Sequence, residues 1–223
     1  MKLVIGSRGS KLAIEQSEIV KNFILKKNPD IDVSIKVIKT KGDILLSQSV
    51  QNLVDKGFFV NEIQKELLKN KIDISVHSLK DLPTKSEKNI IISSILKREN
   101  PNDIFISKKN LNPYEMPNGS IIATSSNRRK YQLLKINSTF KIIEIRGNID
   151  TRINKFNSGY CDALILAYAG IKRLDMTNLI SYHFNFDEML PAAGQGAIAI
   201  ETRSDDNLIK KIVKNINCSL TQK

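Results

Sequence analysis

Residues 73–84, DISVHSLKDLPT, carry four polar groups, His77, Ser78, Lys80 and Asp81, at the end of an alternating stretch, and Pro83 closes the turn. Ile72, Ile74 and Val76 against Asp73, Ser75 and His77 have the period of a half-buried strand ending at Val76. Taken alone, Lys80 and Asp81 also read as an ordinary solvated turn. Other reactive groups collect at the same kind of place, however. Ser7 and Arg8 follow strand 3–5, Ser125 to Arg129 follow strand 120–123, Arg146 to Asn148 follow strand 142–145, and Lys172 and Arg173 come soon after strand 163–167. Open parallel sheets bind ligands at the carboxyl ends of their strands. Guanidinium groups, hydroxyls and helix N-terminal N–H groups gathered there make a site for anions. Asp81 is the one acid in this set, and a carboxylate held among cations stays ionised and could stabilise a positive intermediate.

Several other chemistries lack their signatures. GSRGSK at 6–11 is neither of the glycine-rich fingerprints for dinucleotides or nucleoside triphosphates. His77 has only His183 as a companion, with no Cys/His cluster, so no metal site is expected and a structural role for His77 is favoured. Ser78 lacks the strand-turn-helix setting of a nucleophilic serine.

The elements that position these groups follow from periodicity. Leu3 to Ile5 reads as a strand, and Leu12, Ile19, Val20, Phe23 and Ile24 recur at helical spacing. Val33, Ile35 and Val37 alternate, and Val60, Ile63, Leu67 and Leu68 share a helical face that leads into the strand before Asp81. Helices between strands predict a largely parallel sheet covered on both faces. After the RENPND connection at 98–103 the pattern begins again: strand 120–123, helix NRRKYQLLK, strand 142–145, a polar helix, apolar strand 163–167, and a glycine-rich passage into strand 197–200. Two α/β domains, with a chain that crosses between them more than once, predict a cleft between them.

At 223 residues the chain has room for one large or two modest domains. Cys161 and Cys218 follow no metal or redox spacing, and no apolar run reaches the roughly 18 residues of a membrane span, which predicts a cytoplasmic protein. The net charge of +12 favours anionic ligands. No stripe of Lys and Arg interleaved with aromatics points to nucleic acid.

GSRGSKLAIEQ, TKGD, DKGFFVNEIQKELL, DISVHSLKDLPT, RENPNDIF, TSSNRRKYQL, EIRGNIDTRINK, DALILAYAGIKRL and LPAAGQGAIAIE, in this order over residues 3–203, together resemble the hydroxymethylbilane synthase (porphobilinogen deaminase) family. The resemblance implies an α/β fold of the two-lobed, type II periplasmic-binding-protein kind with an interdomain cleft. Domain 1 would cover 1–96 plus 197–214, domain 2 would cover 102–190, and 215–223 would open a small third α+β domain that is cut short. The implied activity is a transferase of porphyrin and haem biosynthesis. It joins porphobilinogen units head to tail, with loss of ammonia, to give the linear tetrapyrrole hydroxymethylbilane.

By motif, Asp81 and Lys80 would be catalytic, Asp81 holding pyrrole N–H groups and stabilising the cationic azafulvene. Ser10, Ser78, Lys80, Ser126, Arg128, Arg129 and Arg146 would contact a dipyrromethane cofactor. Arg8, Lys56, Arg146, Arg152 and Arg173 would bind substrate carboxylates. The partner is the small molecule porphobilinogen, and the protein is expected to be a monomer. The family attaches dipyrromethane to a cysteine after two glycines, a context that neither Cys161 nor Cys218 has. That departure keeps open an alternative, a non-catalytic two-lobed module holding acidic pyrroles or another small anion.

Overall fold

Strand β1 (Lys2–Ser7) alternates Leu3 and Ile5 on one side with Val4 on the other, and the layers around it follow from that pleat. In the computed structural model, which describes residues 1–40 and 60–222, the chain divides into two units, Met1–Glu99 with Ala197–Lys223, and Asn100–Gly196. The expected TKGD turn beyond Thr40, the DKGFF segment and Lys56 lie outside the described residues.

In the first unit, β1, β2 (Asp32–Val37), β3 (Ile74–Ser78), β4 (Ile90–Ile95) and β10 (Ile198–Arg203) form one sheet in the order β2-β1-β3-β10-β4. Leu3, Ile5, Ile74, Ile198 and Ile200 face α1 (Lys11–Lys27) and α6 (Asn207–Lys214), whose Val20, Ile24, Ile209 and Val213 complete the layer. Val4 packs on the opposite side with Ile63 and Leu67 of α2 (Asn61–Leu68). The sheet is thus covered on both faces, and each fully buried Ile or Leu contributes about 1.5–3 kcal/mol of transfer free energy. The helical spacing places Val20 and Ile24 inside, whereas Phe23 is 46% and Leu68 38% exposed, because each lies one step off the buried stripe.

The second unit repeats the arrangement. β5 (Asp103–Ser107), β6 (Ile121–Ala123), β7 (Lys141–Ile143), β8 (Ala163–Ala167) and β9 (Tyr182–His183) form a sheet in the order β7-β6-β8-β5-β9. One face meets Ile153 and Phe156 of α4 (Ile149–Asn157) and Ile171 of α5 (Tyr168–Arg173). The other meets Leu133 of α3 (Asn127–Ile136) together with Phe140, Phe184 and Met189.

Three details of the fold bear on the site. Each sheet is largely parallel, as expected, with one strand reversed: β10 runs antiparallel to β3 and β4, and β5 runs antiparallel to β8 and β9. These are the two strands that the chain enters on passing from one unit to the other. Secondly, β3 continues to Ser78 because β10 pairs with it as far as Ile198 opposite Ser78, so His77 is a strand residue opposite Ala199. Thirdly, residues 215–222 pack with the first unit. The Cys218 N–H donates to Ile95 O (2.8 Å), Asn217 Oδ1 accepts from Ile95 N–H (2.8 Å), and Ile216 is buried in the first core. The short helix α7 (Ser219–Gln222) continues along the same edge, where Thr221 Oγ1 accepts from Arg98 N–H (3.1 Å).

Between β7 and α4 the chain turns through Arg146-Gly147-Asn148 with Gly147 at φ +111°. A β-carbon there would stand 2.7 Å from Thr151 Cγ2 and 2.8 Å from Thr151 Cβ. Gly147→Ala is therefore expected to lower stability by about 1–3 kcal/mol. Urea unfolding measures this, and an unchanged midpoint would show that the turn tolerates a side chain.

Candidate active site

In the first unit the ends of β1 and β3 and the start of α1 enclose a hollow of about 50 Å³, lined among others by Arg8, Ser10, Gln16, His77, Ser78 and Asp81. Each is placed by a local device. Ser10 caps α1, its Oγ accepting from Ala13 N–H (3.2 Å), which sets the helix N-terminus at the rim. Gln16, buried one turn further on, donates from Nε2 to Ser78 Oγ (2.8 Å) and ties the end of β3 to α1. A 3-10 turn, Leu79–Asp81, then carries the chain away from β3. Its Leu79 N–H donates to Ala197 O (3.0 Å), and Leu79 and Leu82 pack with Val60 and Ala199. Asp81 is thus delivered to the hollow by a turn anchored on both sides, and Lys80, half-buried in the same turn, is not among the lining residues.

Behind the hollow lies a polar group that the motifs did not signal. Glu201 of β10 is 2% exposed and accepts from Gln64 Nε2 (2.9 Å) and Ser75 Oγ (3.1 Å). Its Oε2 stands 3.3 Å from Nε2 of His77, at ion-pair range without hydrogen-bond geometry. An acid directly after the apolar run Ala197 to Ile200 is the one sequence signal that pointed to it.

In the second unit the expected residues fall into three places. Ser126 caps α3, accepting from Arg129 N–H (3.4 Å), while Ser125 Oγ both donates to Ile145 O (2.7 Å) and accepts from Ile145 N–H (3.1 Å). Arg146 leaves the end of β7 half-exposed, 3.3 Å from Glu144 Oε2, and Arg152 Nε donates to Gly147 O (2.8 Å), so these two flank one turn. Arg173, at the end of α5, donates from Nη2 to Gly196 O (2.7 Å).

Arg129 is placed differently from the expectation. It is 7% exposed; its Nε (3.1 Å) and Nη2 (2.7 Å) both donate to Asp103 Oδ1, and its Nη1 donates to Ile165 O (3.0 Å). A guanidinium so committed supports the fold. Arg128 Nη1 lies 2.6 Å from Asp103 Oδ2 and donates to Leu190 O (2.6 Å). Burial pushes the Asp103 carboxyl up, but the charges of Arg129 and Arg128 and the hydrogen bonds from Arg129 outweigh it and hold the group below the usual carboxylate range; the Arg128 contact is an ion pair without hydrogen-bond geometry.

Among the described residues no cluster of three His, Cys, Asp or Glu side chains is arranged to hold a metal ion. The two cysteines are free. Burial pushes the Cys161 thiol up to about 11, whereas hydrogen bonds from Thr221 lower that of Cys218.

Two outcomes are expected. Arg129→Leu leaves a buried carboxylate short of its main partner and should cost about 3–5 kcal/mol in urea unfolding. A depressed carboxylate contributes stability above its unfolded value and loses it as pH falls through the folded one. The advantage of the wild type over this variant should therefore shrink below the ordinary carboxylate range, and a pH-independent difference would contradict the pairing. At neutral pH iodoacetamide should label Cys218 well before Cys161, since the thiolate is the reacting form; peptide mass spectrometry reads the order, and faster labelling of Cys161 would reverse the assignment.

Comparison with known proteins places this geometry in a family. Residues 3–211 match the family model described as "Porphobilinogen deaminase, dipyromethane cofactor binding domain". The porphobilinogen deaminase of Chloroherpeton thalassium is 42% identical over 220 residues, covering 99% of this chain and 70% of the relative. That of Chlorobium chlorochromatii is 44% identical over 221 residues, covering 99% and 71%. The chain thus spans about 70% of the length of these curated relatives. Among solved structures, the methionine-binding protein MetQ aligns with a TM-score of 0.58 at 12% identity, covering 99% of this chain and 92% of that one. The second substrate-binding domain of a putative amino acid ABC transporter from Streptococcus pneumoniae aligns at 0.59 with 9% identity, covering 96% and 91%. These likenesses show the two-lobed, type II periplasmic-binding-protein fold. With the family model and the relatives agreeing over nearly its whole length, the chain belongs to the porphobilinogen deaminase family.

Proposed function

We propose that this protein joins porphobilinogen units head to tail, releasing one ammonia at each addition, and that addition of water then frees the chain as the linear tetrapyrrole hydroxymethylbilane. The observation that carries this reading is the delivery of Asp81 to a hollow that it shares with Arg8, Ser10 and Ser78. Loss of ammonia leaves positive charge on the pyrrole. The Asp81 carboxylate accepts the pyrrole N–H and opposes that charge, and a fixed counter-charge in a confined site is often the largest catalytic contribution.

Every pyrrole unit carries an acetate and a propionate, so substrate and product are polyanions. Arg8 in the first unit and Arg128, Arg146, Arg152 and Arg173 in the second take these carboxylates, with Lys80 beside Asp81. Lys56 joins them on its sequence match alone. When bound, the family's dipyrromethane supplies the primer from which the pyrrole chain grows. The donor set of the hollow fits such a group: a carboxylate for pyrrole N–H, and a guanidinium with hydroxyls for the acidic side arms. Ser10, Ser78, Lys80, Ser126, Arg128 and Arg146 would hold it.

The same reading makes the protein a cytoplasmic monomer without a nucleic-acid partner. Two free cysteines and a basic charge deployed on small anionic ligands support it. No helix among the described residues is long and apolar enough to cross a membrane. The guanidinium groups and hydroxyls that would take these carboxylates equally serve a second reading, a module that holds acidic pyrroles without turnover.

Ammonia release from porphobilinogen tests both. Asp81→Asn is expected to lower the rate by about 10²–10³-fold, the scale of losing one fixed electrostatic group, while the thermal midpoint stays put. Near-normal release by the variant would remove Asp81 from the chemistry. Porphobilinogen bound by the unsubstituted chain with no ammonia formed would select the second reading.

A further inference from the structure

The TSSNRRKYQL block singles out Arg128 and Arg129, but the structure assigns the group that organises them to an acid earlier in the chain, to which the sequence reading gave no role. Asp103, at the start of β5, is fully buried and divides its two oxygens between neighbours on α3. Oδ1 accepts from Arg129 Nε and Nη2, and from Gln195 Nε2 at 2.9 Å; Oδ2 faces Arg128 Nη1 at 2.6 Å. Gln195 Nε2 also donates to Pro101 O (2.6 Å), so the carboxylate joins the start of β5, the first turn of α3 and the glycine-rich passage before Gly196. All of these residues belong to the second unit.

The two arginines differ in what they have left to offer. Arg129 is buried with Nε, Nη1 and Nη2 all donating inward. The Arg128 side chain is 24% exposed, its Nη1 is held by Asp103 and Leu190 O, and among the described residues no hydrogen-bond partner accompanies its Nε and Nη2. Gln132 fixes the same carbonyl from the next turn, donating from Nε2 to Leu190 O (3.3 Å) and accepting Leu190 N–H at Oε1 (2.8 Å). One corner of a planar fork is therefore pinned while its opposite edge stays available, the edge that suits a carboxylate in two-pronged fashion.

We propose that Asp103 is a positioning residue for anion binding: its buried carboxylate makes Arg129 a strut and sets the aim of Arg128, the arginine that meets the ligand. The proposal rests on the reading above that Arg128 takes a pyrrole carboxylate. A free arginine loses rotamer freedom when it binds, and a pinned one has already lost it, so Asp103 raises affinity without touching ligand. The charge state suits the role, since Arg128 and Arg129 hold the carboxyl ionised.

A double-mutant cycle on the full chain, read by calorimetric titration with porphobilinogen, tests this. Arg128→Leu is expected to weaken binding by about 10–100-fold and Asp103→Asn by about tenfold, the range for losing a charge-assisted contact. In the Arg128→Leu background Asp103→Asn should cost under about twofold, because the effect passes through Arg128. Loss of affinity by Asp103→Asn to the same extent in both backgrounds, or in neither, overturns the proposal while leaving the functional reading intact. Unchanged affinity in Arg128→Leu, or no binding by the unsubstituted protein, overturns both. If Asp103→Asn does not fold, guanidinium nitrogen NMR of the unsubstituted protein decides, with Arg128 assigned by its absence from Arg128→Leu. Slow rotation of Arg128 before porphobilinogen is added supports the proposal, and free rotation overturns it.

Discussion

The ladder between β3 and β10 is the constraint on which the first unit and its hollow depend. A strand inside a sheet must find partners for its N–H and C=O groups on both edges. β3 finds β1 on one side and, on the other, a strand that arrives more than a hundred residues later in the chain. Pairing of Ile198 with Ser78 carries β3 two residues beyond its apolar alternation, and the Leu79 N–H bond to Ala197 O holds the turn that follows. Asp81 owes its place to that pairing more than to any property of its own segment.

The counter-running strand of each sheet also brings a buried acid, and the two acids are treated differently. Asp103 on β5 meets two guanidinium groups, so its charge is matched where it is buried. Glu201 on β10 meets the neutral donors Gln64 and Ser75, with His77 at 3.3 Å as its one ionisable neighbour in contact among the described residues. A matched ion pair stabilises strongly against loss of one partner, whereas a carboxylate held by neutral donors is tolerated because its lone pairs are occupied. The second unit therefore fixes arginines with its acid, and the first fixes the wall of its hollow.

Much of this was legible from residue spacing. The helical stripe of Val20 and Ile24, the alternation of Val33 and Ile35, and the restart of the pattern after residue 103 all follow from burial of one face, a local property of the chain. The gathering of Arg8, Ser78 and Asp81 could be read too, because each stands where a strand gives way to a turn or helix. What escaped was decided by distant partners. The destination of Arg129 depends on an acid 26 residues away, and the role of Glu201 on Gln64, 137 residues away. The alternation picked out neither β4 nor β5, and their places in the sheets come from β10 and β8. The place of residues 215–222 is likewise decided at a distance, by the backbone of Ile95.

The late arrival of β10 bears on how the molecule is made. Asn100–Gly196 is one continuous stretch, so the second unit has all its strands when Gly196 leaves the ribosome, whereas the first waits for β10 with the inner edges of β3 and β4 open. At ordinary rates of synthesis, about 5–20 residues per second, that wait lasts on the order of 5–20 s. Unpaired inner edges rich in isoleucine invite pairing with another chain, and the vulnerable interval closes when Ile198 to Arg203 slides between them. During that interval the half-made first unit has more to gain from a chaperone than the finished protein does.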